Sequence, residues 1–185
     1  MMQACKGGIR MRIRPAAVAD APAIAAIYDH YARETCVTFN TQAPSAAHYA
    51  AQIEEGRYPF LTAEEGGEIA GFAYAAAFRP HDAYRWDVEL TIYLQPGLEG
   101  QGIGSQLMAT LLEELTRLGY LTAYSCITVP NDRSVALHKR FGFAELGVFP
   151  ATGYKHGQWH SVLWLSKTLG ELASPPPEPR PYRTP

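Results

Sequence analysis

Between residues 20 and 35, apolar side chains return every three to four positions: Ile24, Ile27, Tyr28 and Tyr31. That spacing predicts a helix from Asp20 to Thr35 with one buried face, with Pro22 in its first turn. Ser45 is placed to cap a second helix running to about Gly56. Short apolar runs follow and read as a β-meander: Phe60–Ala63, Ile69–Phe78 and Val88–Leu94. Glu65-Gly-Gly-Glu68 forms the first hairpin turn, and Pro96 ends the third strand. From Gly102 the helical period returns, with Ile103, Leu107, Leu111, Leu115 and Leu118 on one face and Gly119 as C-cap. Leu121–Thr128 reads as a strand and Asp132–Phe141 as a short helix ending at Gly142. Two more strands are expected near Phe143–Phe149 and Trp159–Ser166, and Met11–Pro15 begins the series as a short one.

The ends differ from this pattern. Residues 1–10 read as an N-terminal extension, 11–169 as one domain, and 170–185 as a Pro-rich tail. The tail is polyproline-like from Ser174 onward, and a surface strap is its favoured reading. Met11 is itself a candidate start. A chain of 185 residues has enough bulk for a hydrophobic core. A net charge of -2 gives no footprint for nucleic acid or a membrane surface. The N-terminus has no apolar signal core and no run is long enough to span a bilayer, so the expected setting is cytoplasmic. Cys5, Cys36 and Cys126 form neither a disulfide framework nor a metal-ligand pattern, and no metal site is expected. Cys126 is expected to be buried in its strand.

The chemistry concentrates between Glu89 and Phe143. Glu89 begins a strand-like run that continues Leu90-Thr91-Ile92-Tyr93-Leu94. Glu99-Gly100-Gln101-Gly102-Ile103-Gly104-Ser105 then leads straight into a helix. Strand, glycine turn and helix together present unpaired backbone N–H groups to an anion. The glycines permit close approach and unusual dihedrals, the helix dipole adds partial positive charge, and Ser105 can donate a further hydrogen bond. Such a turn also has a purely structural reading. No Gly-Lys-Ser/Thr follows, so it is not a P-loop. Nor does it sit in the βαβ unit of a dinucleotide fingerprint. The third piece is Asn131-Asp-Arg-Ser134-Val-Ala-Leu-His138, closed by Phe141-Gly-Phe143.

In this order the three pieces resemble the GNAT superfamily of N-acetyltransferases. Gly102 and Gly104 match its acetyl-CoA signature, while Glu99 stands where that signature has Arg or Gln. Further segments resemble the phosphinothricin N-acetyltransferases of that superfamily. They are Arg79-Pro-His-Asp-Ala-Tyr84, Val88–Tyr93, Pro130-Asn131-Asp, Ser134–His138 and Gly153-Tyr-Lys-His-Gly-Gln-Trp159-His. This likeness spans about Ile13 to Leu169. It implies a mixed α/β (α+β) fold: a mixed central sheet of about seven strands with about four helices, splayed between the fourth and fifth strands.

The resemblance also implies roles. Glu89 would be the base that takes the proton from the acceptor ammonium, directly or through a water, with burial raising its pKa. Its bland alternative is a strand-edge carboxylate paired with Arg85 or another cation. His138 would act with it, as base or as acid toward the departing thiolate. Acetyl-CoA would lie on Ile92, Tyr93 and Leu94, on Glu99 through Ser105, and on Asn131 and Ser134. Backbone N–H groups near Ile92–Leu94 would serve the oxyanion. Asn131 can also cap its helix. For the acceptor, Phe39, Arg79, His81, Tyr84 and Thr91 match the group's substrate region. Arg79 suits a carboxylate or phosphinate, and His81 stands where the group usually has Arg. Trp86 and Trp159 read as core or interface residues, and Tyr154–Gly157 resembles a segment that borders the site, of its own or a partner subunit.

The implied activity is N-acetylation of a small amino acid analogue such as phosphinothricin, by a homodimer. The alternatives are acetylation of methionine sulfoximine or sulfone, a protein or peptide N-acetyltransferase, and a CoA-binding sensor without catalysis.

Overall fold

A computed structural model describes residues 11–182. The expected extension, residues 1–10, with Cys5 lies outside it, as do residues 183–185. Seven strands form one sheet: β1 (Arg12–Pro15), β2 (Phe60–Glu65), β3 (Glu68–Ala77), β4 (Asp87–Leu94), β5 (Thr122–Val129), β6 (Ala144–Lys155) and β7 (Gln158–Thr168), in the order β1-β2-β3-β4-β5-β7-β6. Four α-helices accompany it: α1 (Ala21–Glu34), α2 (Ala46–Glu55), α3 (Ile103–Leu118) and α4 (Asp132–Arg140). The helix ends follow local chemistry. Ser45 Oγ accepts from the His48 N–H at 3.2 Å, and Gly56 closes α2 in the left-handed region. Asn131 Oδ1 accepts from the Ser134 N–H at 3.2 Å to start α4.

Alternation along the strands sends side chains to two cores. On one face Val88 and Leu90 of β4 and Leu61 of β2 pack with Leu107, Met108, Leu111 and Leu115 of α3. On the other, Phe60 and Phe72 pack with Ile24 and Tyr28 of α1 and Tyr49 of α2. Each fully buried aliphatic or aromatic side chain contributes roughly 1.5–3 kcal/mol. The two faces therefore hold the sheet from both sides and leave its centre free to open.

The opening is between β4 and β5. These strands run parallel and pair only across Asp87–Glu89 and Thr122–Tyr124. Beyond that point β4 stays with β3 through Leu94, and β5 stays with β7 through Val129. The sheet is split from Leu90 onward, as the family resemblance implies.

Two sequence expectations are corrected. β6 and β7 are longer than expected, and a turn at His156-Gly157 joins them, with φ of 49° and 77°. The left-handed dihedrals close a tight hairpin turn at the end of the Tyr154–Gly157 segment. Cys126 is exposed, not buried. It pairs with Trp164 of β7 but lies beyond the last β4 pair, so its β4 side faces the split. The tail is a strap over the described residues. The Trp86 indole donates to the Pro177 carbonyl at 2.7 Å, Arg180 N–H bonds Leu118 O at 2.8 Å, and Tyr182 is buried.

Candidate active site

The split holds a cleft of about 1000 Å³, walled by α1, the segment 37–39, β4, the glycine turn, β5 and α4. Within it are Phe39, Glu89, Thr91, Ile92, Tyr93, Leu94, Glu99, Gly100, Gly102, Gly104, Ser105, Asn131, Ser134 and His138. Residues 50 positions apart in the chain thus meet because β4 and β5 part and their following helices both start at the opening.

Glu89 sits at the last β4–β5 pair, where the cleft closes. Burial raises its carboxyl pKa, and the nearby Arg79 guanidinium opposes that shift. Arg85 does not pair with it and lies instead 3.7 Å from Glu178. Arg79 is exposed: its guanidinium lies 4.2 Å over the Phe78 ring and donates to the Phe78 carbonyl at 2.7 Å. Arg79, His81 and Tyr84 belong to the exposed β3–β4 connection and flank the cleft, rather than forming its wall.

His138 is buried, with its ring edge-on to Phe143 at 5.1 Å. Its Nδ1 lies 2.8 Å from the Ser134 carbonyl oxygen. A carbonyl only accepts, so Nδ1 carries the hydrogen and Nε2 is left as an acceptor. Burial lowers the His138 pKa, and the Ser134 bond opposes it. Burial thus favours the neutral ring, the form a proton acceptor needs.

The glycine turn fits a phosphate group. Gly100 and Gly102 have φ of 82° and 85°, and open space stands where a Cβ would project. Gly102 is the N-cap of α3, with no side chain competing for the first N–H groups. Glu99 is turned back on the loop, where its Oε2 accepts from the Gly97 N–H at 3.0 Å. Gln101 is exposed outside the wall, and Ile103 is fully buried under the turn, so Ile103 offers only its backbone. The Asn131 amide oxygen is used by the helix cap, which leaves its NH₂ free.

Several wall residues were not foreseen. Tyr31 donates to Leu94 O at 2.8 Å, and burial, with Glu99 nearby, pushes its hydroxyl up to about 12. Its helical spacing marked it only as core. Tyr74, Ser125, Cys126, Arg133 and Arg140 also line the cleft. Ser125 Oγ is buried without a hydrogen-bond partner among the described residues. Nothing in local sequence distinguishes a strand serine at a split from one in a closed sheet.

The profile of the acetyltransferase (GNAT) family matches residues 24–143. The chain belongs to this family. Among relatives of this GNAT protein, a phosphinothricin N-acetyltransferase of Streptomyces viridochromogenes is 38% identical over 173 residues, covering 92% of this chain and 94% of the relative. An L-methionine sulfoximine/L-methionine sulfone acetyltransferase of Salmonella typhimurium is 32% identical over 168 residues, covering 89% and 98%. The crystal structure of a GNAT superfamily phosphinothricin acetyltransferase from Sinorhizobium meliloti, in complex with acetyl-CoA, superposes with a TM-score of 0.84. It is 34% identical and covers 91% of this chain and 92% of that one. No helix among the described residues is long and apolar enough to cross a membrane.

Proposed function

We propose that this GNAT acetyltransferase moves the acetyl group of acetyl-CoA to the amino group of a small phosphinothricin-like amino acid analogue. Residues 11–169 form the catalytic unit in this reading. The observation that carries it is Glu89: a carboxylate of raised pKa at the closed end of the cleft, with the Arg79 cation beside it. The raised pKa suits a base that must take a proton from an ammonium near neutral pH. Arg79 keeps donors free to meet an acceptor carboxylate or phosphinate. His138, neutral and with Nε2 open, acts with Glu89 in moving the proton. Gly100–Ser105 hold the pyrophosphate, Asn131 and Ser134 hold the pantetheine, and backbone N–H groups of Ile92–Leu94 face the thioester oxygen across the unpaired edge of β4.

Acetylation of methionine sulfoximine or sulfone is the second reading. His81, which carries less fixed charge than an arginine, favours an acceptor with a single anionic group. We also propose a homodimer through the outer edge of β6, where Leu146, Val148, Phe149 and Tyr154 are exposed with Trp159 of β7. β6 is an unpaired edge strand, and its apolar surface is what a second copy would cover.

Thiol release from acetyl-CoA, measured against phosphinothricin, methionine sulfoximine, methionine sulfone, polyamines and aminoglycosides, tests the assignment. A preference for the first three supports it. Equal kcat/KM for all would mean that no amino acid pocket exists.

A further inference from the structure

The segment between α1 and α2 crosses the split, and its anchors come from both sides. From α1, the Tyr28 hydroxyl lies 2.7 Å from Thr38 Oγ1 and accepts from Asn40 Nδ2 at 2.8 Å. From the hairpin tip, the Lys155 ammonium donates to the carbonyls of Thr38 at 2.7 Å and Asn40 at 2.8 Å. These carbonyls flank Phe39, whose ring forms part of the cleft wall. The ring rests against the backbone of Gly153, where an added Cβ would overlap three of its atoms. Lys155 is only 5% exposed, and among the described residues no carboxylate pairs with it. A buried ammonium held by carbonyls alone is an expensive way to end a strand. Two hydrogen bonds to one loop, more than a hundred residues away in the chain, are what it provides.

We propose that Lys155 is a positioning residue for the acceptor: by clamping Thr38 and Asn40 it seats Phe39 in the notch at Gly153, and the seated ring limits the bulk of the acceptor side chain. The assignment rests on the amino acid analogue reading given above. It places Tyr154–Gly157 beside the site of its own chain. Lys155 acts through the loop and touches neither substrate.

Two variants test it from opposite sides. Lys155→Met keeps the apolar stem and removes the donors. Gly153→Ala keeps the donors and fills the notch. Each is measured with acetyl-CoA and amino acid analogues of increasing side-chain length. The expected result is a KM for the smallest acceptor raised about tenfold, with relative kcat/KM moving about tenfold toward bulkier acceptors. The KM for acetyl-CoA should stay within about twofold, because its contacts lie on β4, α3 and α4. Lys155→Arg, which keeps donors, should restore the small-acceptor preference. An unchanged acceptor preference in both variants overturns the proposal. Hydrogen exchange over residues 36–41 of the acetyl-CoA-bound enzyme gives an arm that needs no acceptor. Faster exchange in Lys155→Met supports the clamp, and unchanged exchange refutes it. Wild-type enzyme that acetylates none of the amino acid analogues would sink the functional reading, and the exchange result would still decide the clamp.

Discussion

At the residue scale the cleft is a contest between burial and one cation. Burial raises the Glu89 pKa from 4.5 and Arg79 restrains it, while burial lowers His138 from 6.5. If Glu89 must be ionised to work, kcat/KM falls on the acid side through a midpoint above 4.5. Arg79→Gln removes the opposing charge, so the midpoint should move to higher pH. A midpoint that stays still would mean that Arg79 does not act on Glu89. Glu89→Gln should cost about 10²- to 10⁴-fold in kcat, the usual worth of a positioned base. It should also change stability in a defined direction. A carboxyl whose folded pKa is above its unfolded value destabilises the fold when ionised, at pH above the folded pKa. Below the unfolded pKa both states are protonated and the penalty vanishes. Glu89→Gln should therefore raise Tm at pH 7, with the gain shrinking as pH falls through the carboxylate range. A thermal melt series across pH checks this, and a Tm that drops at pH 7 would show that the carboxylate holds a structural partner.

At the element scale the site exists because β4 and β5 separate after three residue pairs, and because α3 and α4 both begin at the gap. Gly102 is the element's most exacting position. Its φ of 85° is strained for any residue with a Cβ, although nothing would collide with that atom. Gly102→Ala should therefore cost about 1 kcal/mol of stability through backbone strain alone. In the proposed function these N–H groups hold the pyrophosphate, so the KM for acetyl-CoA should rise while the acceptor KM stays put. Calorimetry and steady-state kinetics separate the two effects. The legible parts of the fold are those with local causes. Ser45, Gly56, Gly119 and the Leu107–Leu118 stripe mark helix ends and faces within one or two residues. The β6–β7 hairpin was read short for a physical reason. Its strands are interrupted at Glu145/Gly147 and Phe149/Gly153, and its turn takes left-handed φ at His156 as well as at Gly157, where only the glycine is a turn signal. Cys126 was misplaced for a related reason: whether a strand residue is covered depends on the neighbouring strand, and the split is a property of pairing, not of composition. Glu89, the glycine turn and Asn131–His138 were legible because motif order carried them. Tyr31, Tyr74 and Ser125 were not, since their partners lie on other elements.

At the scale of the whole molecule, the two ends of the described chain meet the same core, with Met11 and Tyr182 both buried in the cluster around α3. Tyr182→Ala should cost about 3 kcal/mol, the usual loss for a buried aromatic ring. It should do so with kcat intact, because the strap meets the C-terminal end of α3 at Leu118 and Gly119, while the cleft lies at the start of that helix. The opposite edge of the sheet poses the assembly question. From Leu146 to Tyr154, β6 carries no charged side chain, and Trp159 beside it is 65% exposed. Natural edge strands usually carry lysine, proline or a covering element to prevent pairing, and here only the bulges and Pro150 interrupt the edge. A stable interface needs roughly 800 Å² from each partner, and the five large apolar residues of this hairpin would form its centre. The pairing must be isologous to close as a dimer rather than continue as a filament. Val148→Lys combined with Trp159→Lys should convert a dimer to a monomer in light scattering, since two ammonium groups would otherwise be buried against their own symmetry mates. The kinetic readout then decides what the dimer is for. The hairpin that would carry the interface also carries Lys155, which anchors the loop bearing Phe39. A monomer with an unchanged acceptor KM means that the hairpin is rigid by itself. A monomer whose acceptor KM rises while its acetyl-CoA KM holds means that dimerisation stiffens the clamp. If the wild-type protein scatters light as a monomer, this apolar edge is not a self-association surface.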